Sequence, residues 1–486
     1  MPARQNSTQE DLEALAAAIL DETPCAIEMP AGTGKTHLLA KAVALAATDA
    51  KRSLILTHTN AGVEVLKKRL SKMKVPSSLY KVDTITGFAF SLARSYSTIG
   101  EVTVPEIPDW TQSNDYIHGA ARVANSVAAK EVLGCSYDYL FIDEYQDCST
   151  QHHQLILTIA QSIPKAIVLG DRLQGIFGFR GQALVDWRDV LTSFPLLAVE
   201  HTPHRWKDSN PEMGQWLQDI RTLIYDGSVI DLSAIRIPGF EWVQITPDVL
   251  GDRAFSFQNS DETVLLLDKW DADVARHASR LGGSYLVMED VRGRFMAEEL
   301  ERLPLADSYE LAIWLAQFAK KCMTGLAGID ATIQARLSSN QSVSHYHRDG
   351  IQDLLALLDE LRQNPSYEML LDTSDKFYRH AATRLYRWEG WRDTMSSIRA
   401  SLDTGNSPIN ELAAIRDKLR HSGRRQHARV ASRTVLVKGL EYDHVIIADA
   451  SKMRDPKNFY VALTRARKSI TIISSSPIIT LVEDTY

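Results

Sequence analysis

The chain has 486 residues with 44% hydrophobic content, enough for two to four domains that each bury a core. A formal net charge of −7 excludes a global basic field, so any nucleic-acid site has to be local. The four cysteines form no C-x-x-C pair, no window reaches the about 18 apolar residues of a membrane span, and the N-terminus lacks a signal pattern; a zinc ribbon, a membrane protein and a disulfide scaffold are set aside, and the cytoplasm is expected.

Residues 5–20 carry the periodicity of an amphipathic helix, on which Gln9 or Gln5 offers the paired donor and acceptor that read an adenine edge. A surface glutamine is the plainer use of either. Cys25-Ala-Ile-Glu-Met29 reads as a buried strand and His37–Ala47 as a helix. Between them lies Met29-Pro-Ala-Gly-Thr-Gly-Lys-Thr36, the strand–turn–helix context of a phosphate-binding loop. Gly32 and Gly34 let the backbone curl around a phosphate, with Thr33 between them. Lys35 can reach the β- and γ-phosphates, and the Thr36 hydroxyl can ligate Mg²⁺. Met29 stands where the full consensus has its first glycine.

Ser53-Leu-Ile-Leu-Thr57 reads as a second strand that opens into His58, Thr59 and Asn60 and a helix through Leu70. Tyr80–Thr84 leads into another helix. Strands alternating with helices predict a parallel sheet covered on both faces, with ligands at the C-terminal strand ends. Residues 97–135, with Pro105, Pro108, Trp110 and an Ala-rich helix near 115–132, read as a small inserted subdomain. Tyr139-Leu-Phe-Ile-Asp-Glu-Tyr-Gln-Asp147 is a buried strand ending in adjacent carboxylates. Asp143 would hold Mg²⁺, and Glu144 would align and deprotonate the attacking water. Ala166–Gly170 is a further strand. The loop Asp171-Arg-Leu-Gln-Gly-Ile-Phe-Gly-Phe-Arg-Gly181 then offers Gln174 to the γ-phosphate, and Phe177 and Phe179 to unpaired bases, a contact worth about 1–3 kcal/mol per base. Core packing is the other use of Phe177.

These stretches, in this order, resemble the UvrD/Rep/PcrA family of superfamily 1A DNA helicases. P-A-G-T-G-K-T resembles that family's first motif, L-T-H-T-N (56–60) its motif Ia, D-E-Y-Q-D (143–147) its motif II and G-D-R-L-Q-G-I-F-G-F-R-G (170–181) its motif III. His204-Arg-Trp206 sits where motif IV carries an arginine. Lys438-Gly-Leu-Glu-Tyr442 resembles motif V, and Tyr460-Val-Ala-Leu-Thr-Arg-Ala466 motif VI. The resemblance implies an α/β protein of two RecA-like parallel-sheet domains with mostly helical insertions, an ATP- and Mg²⁺-dependent motor moving 3′-to-5′ on single-stranded DNA or DNA with a single-stranded tail. It implies Arg205 and Arg465 as arginine fingers, Glu441 on the ribose, Gln174 as γ-phosphate sensor, and Phe179 in place of a base-stacking tryptophan. Thr57, His58, Asn60, Thr84, Phe177 and Phe179 form the expected DNA path. The compact build is also similar to the helicase-like subunit of Gabija antiphage defence systems, which works with a nuclease partner.

Two departures bear on function. The family has a His three residues before the motif V Lys, where this chain has Val435, and both insertions are small. These favour an alternative in which a DNA- or nucleotide-sensing ATPase subunit switches a nuclease partner without unwinding. The expected domains are 1–96 with 136–200 (first RecA-like), 97–135 (insertion), 201–289 with 426–486 (second RecA-like) and 290–425 (helical insertion). In the second, 262–268, 433–437, 444–449 and 469–474 read as strands and 272–281 as a helix. Within 290–425 the periodicity predicts helices over 309–324, 351–363, 376–386 and 409–419. Arg384, Arg387, Trp388, Trp391 and Arg392, and the basic run 421–429, interleave cations that can track phosphates; a helix packing its tryptophans is the other reading of the first group. His201/His204 and His345/His347 lack the partners that would complete a metal site.

Overall fold

The computed structural model describes residues 3–105, 112–178, 183–422 and 427–482, with side chains from residue 12 onward and excepting 419–422. The fold is α/β with two wholly parallel sheets and many helices, as the strand–helix alternation predicts. Phe179, Pro108, Trp110 and residues 423–426 of the basic run lie outside the described residues. No described helix is long and apolar enough to cross a membrane.

The first sheet contains β1 (Cys25–Glu28), β2 (Ser53–Thr57), β3 (Tyr80–Thr84), β4 (Tyr139–Ile142) and β5 (Lys165–Gly170), in the order β1-β5-β4-β2-β3. The two-residue period of a strand sorts its apolar residues onto two faces. Ile27, Ile55, Phe141, Ile167 and Leu169 pack under the helix Lys35–Thr48 through Leu38, Leu39 and Val43. Leu54, Leu56, Leu140, Ile142 and Val168 face the other way, against Phe88, Ile117, Ile156 and Ile159. Burial on both faces is why these strands read as unbroken apolar runs. Because all five are parallel, the loops after β1, β5, β4 and β2 emerge at one edge, with β5 between β1 and β4. The Ala-rich segment forms two helices, Ser113–Asn125 and Val127–Ser136, because Ser126 stops the first and accepts a hydrogen bond from Ala129 N (3.3 Å) at the start of the second.

The second sheet contains β6 (Phe240–Gln244), β7 (Val264–Leu267), β8 (Leu286–Val287), β9 (Arg429–Ser432), β10 (Tyr442–Ile447) and β11 (Ala466–Ser474), in the order β6-β11-β10-β7-β9-β8. Residues 433–437 are not the strand their β-branched pattern predicts. The strand is β9, in register with β7, and Thr434–Val437 is a 3₁₀ turn closed by Leu436 N to Arg433 O (3.2 Å). Of the helices predicted within 290–425, Leu311–Cys322, Gln352–Gln363 and Pro408–Ser422 lie where the periodicity puts them. The one predicted over 376–386 runs instead over Tyr367–Arg379. The Thr383 hydroxyl bonds Phe377 O (2.7 Å) and His380 O (2.9 Å), ending the helix, and Arg384–Leu385 pairs antiparallel with Met323–Thr324. Trp391 stacks on Phe318, which stacks on Trp314, so this tryptophan belongs to the helical core.

The chain forms two compact units. Residues Met1–Ser228, Asp455–Thr464 and Leu481–Tyr486 make the first, Val229–Arg454 and Arg465–Thr480 the second. The helix Pro456–Leu463 therefore belongs to the first unit, although the strands before and after it belong to the second sheet. In the helical part of the second unit, Gly325 has φ +87°, and an added Cβ would lie 1.9 Å from Ala382 O. Gly405, at φ +74°, has nothing within 4 Å. Gly405→Ala should cost about 1 kcal/mol of backbone strain, whereas Gly325→Ala adds a backbone overlap that pushes the loss past about 3 kcal/mol. Thermal unfolding of the two variants side by side checks this; equal shifts in midpoint would refute it.

Candidate active site

The loop after β1 makes its turn with backbone that only glycine adopts at low cost. Gly32 has φ +71° and Gly34 φ +95°. Thr33 Oγ1 donates to Pro30 O (2.7 Å), and Gly34 O receives His37 N (2.8 Å) and Leu38 N (3.0 Å), starting the helix. Gly34 caps the helix without a side chain in the way, so the first-turn N–H groups face the loop. Lys35 is buried, its ammonium on Met29 O (3.0 Å) and Pro30 O (3.4 Å), inside the loop a phosphate would fill.

Two strand-end carboxylates stand beside this loop. Asp143, just past β4, accepts from Thr36 Oγ1 at 3.1 Å and from Glu144 N at 3.0 Å. Burial, then the neighbouring Glu144 charge, push the Asp143 carboxyl up to about 7, against the pull of Lys35 and Thr36. A buried carboxylate with a hydroxyl against it is a hard-oxygen donor pair that suits Mg²⁺, and a cation there would relieve the cost of its burial. Thr36 and Asp143 therefore fit the metal. Glu144 sits at φ 57°, ψ 42°, a left-handed conformation costing a non-glycine residue about 1 kcal/mol. Gln146 Nε2 donates to the Glu144 carboxylate, and Gln146 Oε1 accepts Asp171 N (3.0 Å).

Asp171, at the end of β5, joins the two halves of the site. Its Oδ2 accepts Gln174 Nε2 (2.8 Å), and its Oδ1 accepts Arg221 Nη1 (2.8 Å). Burial works to raise the Asp171 carboxyl, but Arg221 and Lys35 outweigh it and hold it below the usual carboxylate range. Arg221 also reaches Glu28 Oε1 (3.2 Å) and the Tyr460 hydroxyl (2.9 Å), and that hydroxyl accepts Ala31 N from the phosphate loop (3.4 Å). Burial raises the Glu28 carboxyl despite Arg172 and Arg221 beside it. Gln146, Asp171 and Tyr460 lie inside the motif stretches without standing out as site residues. Arg221, on the helix Pro211–Tyr225, carries no signal in the sequence at all.

Arg205 also comes to the loop. Its N–H donates to Gly32 O (3.0 Å), its guanidinium donates to Thr464 O, and buried Trp206 packs against Gly32. So Gly32, Thr33, Gly34, Lys35, Thr36, Asp143, Glu144, Gln174 and Arg205 all lie in the first unit, on the loops that follow β1, β4 and β5 and on the short turn His204–Trp206. In the second unit Arg465 is buried and donates to Leu440 O (3.1 Å), next to exposed Glu441. Gln9 lies in the helix Ala3–Asp21, in the part whose side chains are outside the description.

Of the expected nucleic-acid residues, Thr57, His58, Asn60, Thr84 and Phe177 lie at or after the C-terminal ends of β2, β3 and β5. Thr57 and Thr84 are register partners at the ends of β2 and β3. The Thr84 hydroxyl caps a helix, accepting Gly87 N (2.9 Å), and Thr57 is buried. His58 Nε2 lies 3.4 Å from Cys148 Sγ, Asn60 opens the helix Asn60–Lys72, and Phe177 is half-buried.

Two stretches match known families. Residues 11–180, from the phosphate loop past Gln174, match the family described as AAA domain. Residues 394–474, which hold Glu441 and Arg465, match the viral superfamily 1 RNA helicase core domain. Among curated proteins none matches the chain. The two matches, each over less than half of the chain, support a likeness to superfamily 1 helicases, and domains of these kinds imply NTP hydrolysis and a nucleic-acid substrate.

Proposed function

We propose that the protein is an ATP- and Mg²⁺-dependent translocase or helicase of the UvrD type on single-stranded DNA, moving 3′-to-5′. The observation that carries the reading is the Thr36 hydroxyl at 3.1 Å from Asp143, which joins the phosphate loop to the strand-end carboxylates. Mg²⁺, when bound, supplies charge neutralisation at the phosphates, and Thr36 and Asp143 would hold it. Lys35 leaves its two carbonyls for the phosphates, and the N–H groups of the loop and helix bind the same charge. Glu144 aligns the attacking water and takes its proton, while Gln174 senses the γ-phosphate. Arg205, already against the loop, and Arg465 stabilise the charge that develops, and Glu441 reads the ribose. Gln9 contacts the adenine edge. Thr57, His58, Asn60, Thr84, Phe177 and Phe179 line the strand's path.

Turnover by the purified chain, with single-stranded DNA and single-stranded RNA as separate arms, tests this. Stimulation by DNA and release of a strand from a duplex with a 3′ tail, not a 5′ tail, is the expected result. RNA-only stimulation would overturn the choice of substrate, and no hydrolysis would overturn the whole reading. One observation favours a second reading. Val435 stands in the 3₁₀ turn Thr434–Val437 where the UvrD-type pattern has histidine, which fits a DNA-sensing ATPase that switches a nuclease partner, as in an antiphage assembly. DNA-stimulated hydrolysis without strand release at any protein concentration would decide for it.

A further inference from the structure

We propose that Arg221 is a positioning residue for hydrolysis: one guanidinium, through Asp171 and Tyr460, sets the relative placement of the phosphate loop, Gln174 and the helix Pro456–Leu463. The inference rests on the ATPase reading above and adds to it a residue outside every motif.

The helix Pro211–Tyr225 delivers Arg221. Asn210 caps it, accepting Met213 N (3.0 Å), Pro211 opens it, and Met213, Leu217, Ile220 and Ile224 bury one face. Arg221 follows Leu217 by one turn, so it is carried inward with that face, and its side chain is 14% exposed. A guanidinium presents five N–H donors in a fixed plane, and here that plane is divided among three elements. Glu28 Oε1 ends β1 immediately before the phosphate loop (3.2 Å). Asp171 Oδ1, just past β5 and at the start of the turn that carries Gln174, accepts at 2.8 Å. The Tyr460 hydroxyl belongs to the helix Pro456–Leu463 (2.9 Å), whose ring centroid lies 5.0 Å from the guanidinium carbon.

Each partner passes the constraint to a residue of the reaction. Tyr460 Oη accepts Ala31 N within the phosphate loop (3.4 Å). Asp171 Oδ2 holds the Gln174 amide (2.8 Å), and Asp171 N holds Gln146, whose amide donates to Glu144. Arg221 is thus two hydrogen bonds from Gln174 and from the loop. Buried ion pairs contribute little net stability compared with well-packed apolar residues, so a three-way buried arrangement of this kind is better accounted for by the geometry it fixes. The same helix is held at its far end by Arg205, which donates to Thr464 O. Arg221 thus holds the middle of this helix at Tyr460, and Arg205 holds its C-terminal end one turn later.

The test is steady-state ATP turnover by the full chain carrying Tyr460→Phe, Arg221→Lys, Arg221→Met and the double variant Arg221→Met/Tyr460→Phe. Tyr460→Phe removes one hydroxyl and keeps the ring, so the protein stays folded. The expected result is a kcat loss of about fivefold to tenfold in Tyr460→Phe and more in Arg221→Met, with the KM for ATP within about threefold of wild type, because binding groups remain while their alignment is lost. Arg221→Lys, a single point charge, should recover only part of the loss. The double variant should lose no more than Arg221→Met alone, because both act through one connection. A wild-type kcat in Tyr460→Phe, a change in KM alone, or losses that multiply in the double variant would each overturn the positioning role while leaving the ATPase reading standing. A wild type that hydrolyses nothing overturns both.

Discussion

Glu144→Gln should lower ATP turnover by about three orders of magnitude while the protein still binds Mg²⁺-nucleotide at least as well as wild type. The substitution keeps the shape of the side chain and its amide can still meet Gln146, so the left-handed backbone at φ 57° and the contacts around it persist. What disappears is the group able to accept a proton from water. Binding should hold or improve for an electrostatic reason. Burial and then the Glu144 charge are what raise the Asp143 carboxyl, and an uncharged neighbour removes the second cause. Asp143 then ionises more readily and presents a better oxygen to the metal. Single-turnover phosphate release together with titration of a fluorescent ATP analogue separates the two quantities. Turnover within tenfold of wild type would remove Glu144 from the base's role, and lost binding would make it a structural residue of the loop.

The sequence displays those parts of this site that are local in the chain. Strands such as Leu54-Ile-Leu56 and Tyr139–Ile142 are buried on both faces, so they are apolar without interruption, and the polar residues that end them stand out: Thr57 and Asp143. Gly32 and Gly34 declare the turn because no other residue holds φ of +71° and +95° at small cost. The misplaced elements failed through long-range pairing. Thr434-Val-Leu-Val437 has the composition of a strand, yet Arg429–Ser432 takes the place beside β7, and the turn follows. The helix predicted through Tyr386 stops at Arg379 because the Thr383 hydroxyl satisfies its last carbonyls and Arg384–Leu385 pairs with a segment some sixty residues earlier. Arg221 was invisible for the same cause. On its own helix it is one cation among polar residues, and only the fold brings Glu28, Asp171 and Tyr460 to it.

Gly32→Ala should reduce kcat/KM for ATP about a hundredfold, with a smaller loss of stability of about 1–2 kcal/mol. Two penalties coincide at this position. A left-handed backbone at φ +71° is strained for alanine, and the added Cβ would lie 2.6 Å from Trp206 Cζ3 and 2.8 Å from Arg205 Cβ. Distances that short cannot persist, so either the loop opens or the turn His204–Trp206 retreats. Trp206 is 1% exposed and has nowhere to retreat without loosening its own packing, so the loop and Arg205 share the displacement. Arg205 would then lose its backbone bond to Gly32 O, and its guanidinium its place on Thr464 O. A shift of a few tenths of an ångström in phosphate-binding groups carries a large cost in rate and a small one in folding, which is why the two effects should separate. A suppressor distinguishes the steric cause from backbone strain alone. Trp206→Phe deletes the ring atoms Cζ3 and Cη2 that meet the new methyl, so Gly32→Ala/Trp206→Phe should regain part of the activity lost by Gly32→Ala. Recovery would tie the turn His204–Trp206 to the geometry of the loop. A double variant as poor as the product of the two single losses would assign the effect to the φ angle and the Arg205 Cβ contact rather than to Trp206, and wild-type activity in Gly32→Ala would mean that the loop does not cradle phosphate as described.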